Sequence, residues 1–177
     1  MNTLQTICSR KSVRSYTGEP VSEADLEEIL KAGEAAPVGM RRFADFHITV
    51  IKNKDLLNEI RKTAATMFGN PSSDPLYGAP TLILVSGKAP EPAAANAIYS
   101  SAACIIENMA LAATDLGVGN CLIWGAVAAL AQNIALTDKL GLPEGFVPFS
   151  GLIVGKMDGS YSVRDIDMNR IATDTID

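Results

Sequence analysis

The stretch 93–119, AAANAIYSSAACIIENMALAATDLGVG, decides the fold. Over 93–116 apolar residues fall on nearly every side of a helix, and many are small: Ser100, Ser101, Ala102, Ala103, Ala110, Ala112 and Ala113. A helix of that composition belongs in the middle of a structure. Glu107, Asn108 and Asp115 interrupt the run, which argues against an ordinary membrane span. Gly117 and Gly119 then end the helix. Gly117-Val118-Gly119 has the look of half a dinucleotide fingerprint, but here a helix precedes and a strand follows, the reverse of the order that sets a pyrophosphate on a helix N-terminus. A glycine C-cap accounts for it better.

Outward from this helix the chain alternates helices and strands. A short helix over 3–8 opens it. Ser22 caps the next helix by accepting from the backbone N–H of Asp25; Leu26, Ile29, Leu30 and Gly33 form its apolar face, and Pro37 stops it. Strands are expected over 46–51, 81–86, 121–124 and 149–155, helices over 55–67 and 134–140, and a loop over 69–78 around Pro71 and Pro75. The chain has 177 residues, 47% of them apolar, enough for one substantial core, and no repeat or linker suggests a second domain. One domain over 1–177 is expected. Its tail from about 158 has too few apolar residues to form a core and is expected to pack on another surface.

The net charge of −5 argues against a nucleic-acid partner, which would need a broad basic surface. Cys8, Cys104 and Cys121 are odd in number and far apart, so neither a disulfide framework nor zinc is suggested and a reducing cytoplasm fits. No charged segment leads into an apolar one at the N-terminus, so no secretory signal is expected. His47, the only histidine, lies in an expected strand and reads as structural rather than as part of a catalytic triad. Without HExxH, CxxC or paired carboxylates no metal is expected, and an enzyme here would take its reactivity from an organic cofactor. Against this background Arg10, Lys11 and Arg14 fall within five residues, interleaved with Ser12 and Ser15. The cluster reads as a clamp for one phosphate group, the alternative being a solvated stretch after a short helix.

Four motifs occur in one order and spacing: Arg10, Ser12, Arg14 and Tyr16; Ala35-Ala36-Pro37; Asn108, Leu111, Ala112 and Ala113; and Leu116 through Cys121. In this the chain resembles the nitroreductase-family flavoproteins over almost its whole length. The resemblance implies an α+β fold with a central mixed sheet flanked by helices. It also implies an interlocked homodimer, the tail from about 158 packing on the partner subunit, with FMN in a groove between subunits and NAD(P)H as electron donor. Carried over residue by residue, it places Arg10 and Ser12 at the FMN phosphate with Lys11 beside them, and Arg14 at the pyrimidine edge of the ring. A cation there would stabilise the charge gained on reduction. Pro37, Val38 and Gly39 would run along the ring, with Leu122, Ile123, Trp124 and Gly125 facing it from the other side. Trp124 also reads as plain core. Arg170 fits a basic tail residue that reaches the phosphate.

The chain departs from the usual pattern after Ala-Pro: Val38 replaces a serine, Arg41 an asparagine, and Phe43-Ala44-Asp45 a Gln-Pro-Trp. Arg41 either donates to the asparagine's acceptor or points into solvent. The chain also lacks the insertion that covers the substrate in larger members, so an open pocket of low selectivity is expected. The function implied is hydride transfer from NAD(P)H through FMN to electron-poor acceptors such as nitroaromatics or quinones, with no side chain as general acid. Two readings remain beside it: a flavin-binding or sequestering homodimer without turnover, and a specialised relative acting on flavin or halogenated aromatics.

Overall fold

The computed structural model describes residues 1–176, so of the single domain expected over 1–177 only Asp177 lies outside the described residues. Its elements are α1 (Thr3–Ser9), α2 (Glu23–Glu34), β1 (Phe46–Ile51), α3 (Lys54–Met67), β2 (Thr81–Lys88), α4 (Ala95–Asp115), β3 (Gly119–Ile123), α5 (Gly125–Gln132), α6 (Ile134–Asp138) and β4 (Phe146–Gly155).

The sheet divides the core in two. Alternate residues of a strand face opposite sides. Accordingly Ile83 and Val85 of β2 join Leu152 and Val154 of β4 against α2 and α4, while Leu82 and Leu84 join Ile153 against α3 and α5. Burial on both faces explains why β2 reads as an unbroken apolar run. Each fully buried Leu or Ile there contributes about 1.5–3 kcal/mol relative to exposure. On the α2/α4 side Gly33 lets two helices approach: a Cβ there would stand 2.9 Å from Met109 Cγ.

The strands run in the order β1-β2-β4-β3, and every neighbouring pair is antiparallel. This corrects the mixed sheet implied by resemblance. The helical crossover through α4 does make β2 and β3 parallel to each other, but β4 inserts between them, so the parallel pair never shares a ladder.

The long helix ends as its glycine predicts. Gly117 takes φ 76°, with Gly117 N–H donating to Thr114 O and Val118 N–H to Ala113 O. By length and composition α4 would suffice to cross a membrane, yet eight of its residues, from Ser101 to Thr114, are buried within this chain.

Two elements differ from the sequence reading. Helix α5 is an element the sequence pattern does not predict, and Ala126, Val127, Ala129 and Leu130 bury one of its faces. Strand β4 starts at Phe146 rather than 149, because the register shifts where Val85 pairs with Ser150 and Ser86 with Pro148. Proline, which cannot donate to a ladder, is tolerated at such a bulge. His47 sits exposed on the edge strand β1 opposite Ser86.

Past Met157, which bridges to Tyr16, the tail is irregular. Ser160 meets Lys11, Tyr161 meets Val118 and Asn120, Arg164 meets Cys8 at the end of the chain's own α1, and the residues from 167 to 176 are exposed.

Candidate functional site

The cationic segment follows α1 in extended form and is fixed by its one buried residue. Val13 is buried and its N–H donates to Asn120 O at 2.8 Å, while the Tyr16 hydroxyl donates to Val13 O at 3.0 Å. With Val13 turned inward, its polar neighbours point elsewhere. Arg10 Nε lies 3.6 Å from Glu107 Oε1 on α4, a half-buried contact. Lys11 Nζ donates to Ser160 O at 3.2 Å and lies 5.8 Å from the Tyr161 ring. Ser12 is half-buried between them and Arg14 is exposed.

The tail braces this segment. Arg164 donates from Nε to Cys8 O at 2.9 Å and from a terminal nitrogen to Arg10 O at 2.5 Å. The Tyr161 hydroxyl donates to Val118 O at 3.0 Å and accepts from Asn120 Nδ2 at 2.8 Å, which itself also donates to Thr114 Oγ1. Burial pushes the phenols of both Tyr16 and Tyr161 upward from their ordinary value. Asn120 is fully buried, so the carbonyl that receives Val13 stands on a rigid support.

Arg14 faces a cleft of about 360 Å³ whose walls include Phe68, Asp74, Tyr77, Leu122, Ile123, Trp124 and Gly125. The structure thus brings Arg14 together with all four residues expected from the 122–125 segment. Trp124 is 73% exposed and Leu122 39%, so neither is plain core. Gly125 opens the floor of the cleft, since a Cβ there would come 2.8 Å from Phe68 Cζ. Among the described residues Arg14 makes no ion pair; its guanidinium carbon lies 5.8 Å from the centroid of the Tyr77 ring.

The loop after α2 does not line this cleft within one chain. Pro37 and Arg41 are exposed, Val38 packs against the core, and Gly39 N–H donates to Ser101 Oγ on α4 at 3.1 Å. A Cβ on Gly39 would meet only that Oγ, at 3.6 Å, so the chain itself makes no demand for glycine there. The left-handed positions are instead Met40 (φ 53°) and Arg41 (φ 56°). At the far end of the loop Asp45 pairs with Lys88 and Arg42, and the Lys88 hydrogen bond, with Arg42 beside it, holds its carboxyl below the usual range. Arg170 is exposed on the tail, with its N–H on Asp167 O, and does not join Arg10. Sequence reasoning missed Tyr77, Phe68, Tyr161 and Arg164. Only the basic charge of Arg164 was visible, and no motif distinguished it from Arg170.

The donors of Arg10, Lys11 and Ser12 adjoin in sequence a cation, Arg14, at the mouth of a cleft walled in part by Phe68, Tyr77 and Trp124. Comparison with known proteins agrees with that chemistry. The family model named Nitroreductase family matches residues 7–156. A protein of Archaeoglobus fulgidus, provisionally named NADH dehydrogenase/NAD(P)H nitroreductase, is 30% identical over 157 residues, covering 86% of this chain and 83% of its own. The FMN reductase [NAD(P)H] of Bacillus subtilis is 28% identical over 86% of this chain and 64% of its own. Among solved structures, the nitroreductase with bound FMN from Desulfitobacterium hafniense superposes with a TM-score of 0.83 at 28% identity, covering 99% of this chain and 100% of that one. That from Bacteroides fragilis, also with bound FMN, gives 0.80 at 28% over the same shares. A match that takes in the cationic segment, both cores and all four strands leaves one assignment: the chain belongs to the nitroreductase family.

Proposed function

We propose that the chain is an FMN-dependent NAD(P)H oxidoreductase acting on electron-poor acceptors such as nitroaromatics or quinones. The observation that carries this reading is Arg14, a cation without a carboxylate partner among the described residues, facing a cleft walled by Leu122, Ile123, Trp124 and Phe68. Such a cleft suits a flat ring with one electron-rich edge, and the cluster before it suits a terminal phosphate. The donor set therefore fits FMN. No dinucleotide motif is present to hold the second half of FAD.

When bound, FMN supplies the hydride chemistry, taking two electrons from NAD(P)H and passing them to the acceptor. The chain's residues bind and orient. Arg10, Lys11 and Ser12 would hold the phosphate, with Arg164 bracing the backbone at Arg10 from the tail. Arg14 places positive charge where negative charge develops. The segment Leu122, Ile123, Trp124 and Gly125 would form a wall for the ring, and a cleft open to solvent would admit water as the proton source.

The loop Pro37, Val38, Gly39 and Arg41 lies off this cleft, so in this reading it serves the site of a second copy. A homodimer is further supported by the outer face of α4, where exposed Tyr99 and Ala103 line a groove of about 720 Å³ together with Trp124 and Val147. Arg170 is given no part in the site of its own chain. A cytoplasmic setting accords with three free cysteines.

The test begins with the purified protein, which is expected to be yellow and to release FMN on heating. FAD alone, or no flavin after reconstitution, refutes the cofactor. NADH oxidation with menadione then separates turnover from mere flavin storage. A single cleft for donor and acceptor requires parallel lines in a double-reciprocal plot, and intersecting lines would mean two sites.

A further inference from the structure

Arg14 shares its cleft with one carboxylate, that of Asp74, which would neutralise it if free. It is not free. Asp74 Oδ1 accepts from Leu76 N–H at 2.9 Å and lies 3.2 Å from Arg61 Nε, and Oδ2 accepts from Gly78 N–H at 2.6 Å. Arg61, reaching from α3, also donates to Ala79 O at 2.7 Å and to Asn58 Oδ1 at 2.9 Å, so one guanidinium ties both ends of the turn 74–79. The turn is anchored beneath by Leu76 and Ala79, both buried.

At the crest of that turn stands Tyr77, with φ 54°, a left-handed conformation that residues with a side chain rarely adopt. Its N–H donates to Asp74 O at 3.0 Å, and its ring lies on the wall of the cleft with the Arg14 guanidinium carbon 5.8 Å from its centroid. What the turn accomplishes is to present an aromatic face to Arg14 while keeping Asp74 occupied.

We propose that Tyr77 and the Arg61–Asp74 pair are positioning residues that keep Arg14 an oriented, uncompensated cation at the cleft. Tyr77 does so by offering the guanidinium its π face, and Arg61 by holding the one acidic side chain of the cleft away from it. The inference rests on the FMN reading and adds to it the residues that set the charge felt by the ring. A positive charge left unneutralised favours the reduced cofactor over the oxidised one.

The experiment measures the two-electron potential of bound FMN, by equilibration with a reference dye, in wild type and in Arg14→Ala, Tyr77→Phe, Tyr77→Leu and the double variant Arg14→Ala/Tyr77→Leu. Arg14→Ala is expected to cost about tenfold in the preference for reduced FMN, which is about 30 mV for a two-electron couple. Tyr77→Leu should lower the potential by a smaller amount, about two- to fivefold in the same preference, while Tyr77→Phe, which keeps the ring face, stays at the wild-type value. The double variant should match Arg14→Ala alone, since Tyr77 acts through Arg14. Affinity for oxidised FMN, followed by fluorescence quenching, should change less than the potential, as a merely structural role would not produce. Arg61→Met should lower the potential by leaving the charge of Asp74 unpaired, and Asp74→Asn added to it should restore the potential.

A Tyr77→Leu protein that binds FMN at the wild-type potential, or effects of Arg14 and Tyr77 that simply add, would overturn the proposal. Should Arg61→Met fail to fold by circular dichroism, the Tyr77 variants decide. A wild-type protein that holds no FMN overturns the proposed function instead, and this inference with it.

Discussion

Replacing Tyr161 with Phe isolates the brace between the tail and Asn120, the residue whose carbonyl receives Val13. The ring stays and one oxygen goes. That oxygen accepts from Asn120 Nδ2 at 2.8 Å and donates to Val118 O at 3.0 Å, and Asn120 is fully buried. Asn120 Nδ2 keeps Thr114 Oγ1 at 3.0 Å and a longer contact to Val118 O at 3.3 Å, so neither group is wholly stranded. A cost toward the lower end of the range for depriving buried polar groups follows, about 1–2 kcal/mol. For a chain of this length that lowers Tm by about 2–8 °C. Urea unfolding of FMN-free protein at one fixed concentration measures it, with Glu27→Gln, exposed on α2, as a control expected within about 0.5 kcal/mol of wild type.

The same variant has a signature in alkali. Burial raises the phenol of Tyr161, and that of Tyr16, above the unfolded value near 10. Each contributes stability that is complete below about pH 10 and is lost as pH rises above it, at no more than about 1.4 kcal/mol per pH unit per phenol. Tyr161→Phe removes one of the two, so its stability should fall less steeply above pH 10. A variant within about 0.5 kcal/mol of wild type at pH 7, with an unchanged alkaline slope, would refute the brace.

Arg10→Ala should weaken FMN binding by roughly tenfold, the low end for a charge-assisted contact at a partly exposed site, and leave the potential nearly unchanged. Fluorescence titration and dye equilibration separate the two effects, and an unchanged affinity would place Arg10 outside the phosphate site. Gly87→Ala should lower stability by about 3 kcal/mol or more, because its Cβ would stand 2.7 Å from the backbone oxygen of Asp45, which cannot swing away as a side chain does. An unaltered urea midpoint would contradict that. Asp115 is held below its ordinary value by hydrogen bonds from the N-terminal ammonium and Thr6. Its contribution is therefore present above about pH 4 and lost as pH falls below it, and Asp115→Asn should flatten that acid limb in unfolding curves. Sedimentation equilibrium should find a dimer at every concentration at which the protein is folded; a folded, FMN-loaded monomer would defeat the homodimer.

Much of this protein is written locally. The run 93–116 carries its own helix and its own stop, since the apolar positions outnumber any single face and Gly117 alone fits the left-handed cap. Strands β1 and β2 show in β-branched and leucine-rich runs, Ser22 marks the start of α2, and the cationic residues stand out against an acidic chain. Helix α5 escaped because it follows β3 without a break and its alanines carry little contrast between faces. Pro148 hid the first turn of β4, since a proline inside a strand becomes acceptable only once a bulge exists to receive it.

The sequence by itself determined most of the elements, the cationic cluster and the family, because these depend on neighbours in the chain: side-chain period, caps, and charges a few residues apart. Only the tertiary structure decided that β4 lies between β2 and β3, that Arg14 meets the 122–125 segment, and that Arg61 occupies Asp74. It also decided that the tail binds its own α1 through Arg164 rather than Arg170. Those pairings join residues as much as 156 positions apart. At such distances the chain offers many chemically equivalent partners, several basic residues in the tail among them, and the choice falls to whichever the packing of the two cores brings within hydrogen-bonding reach.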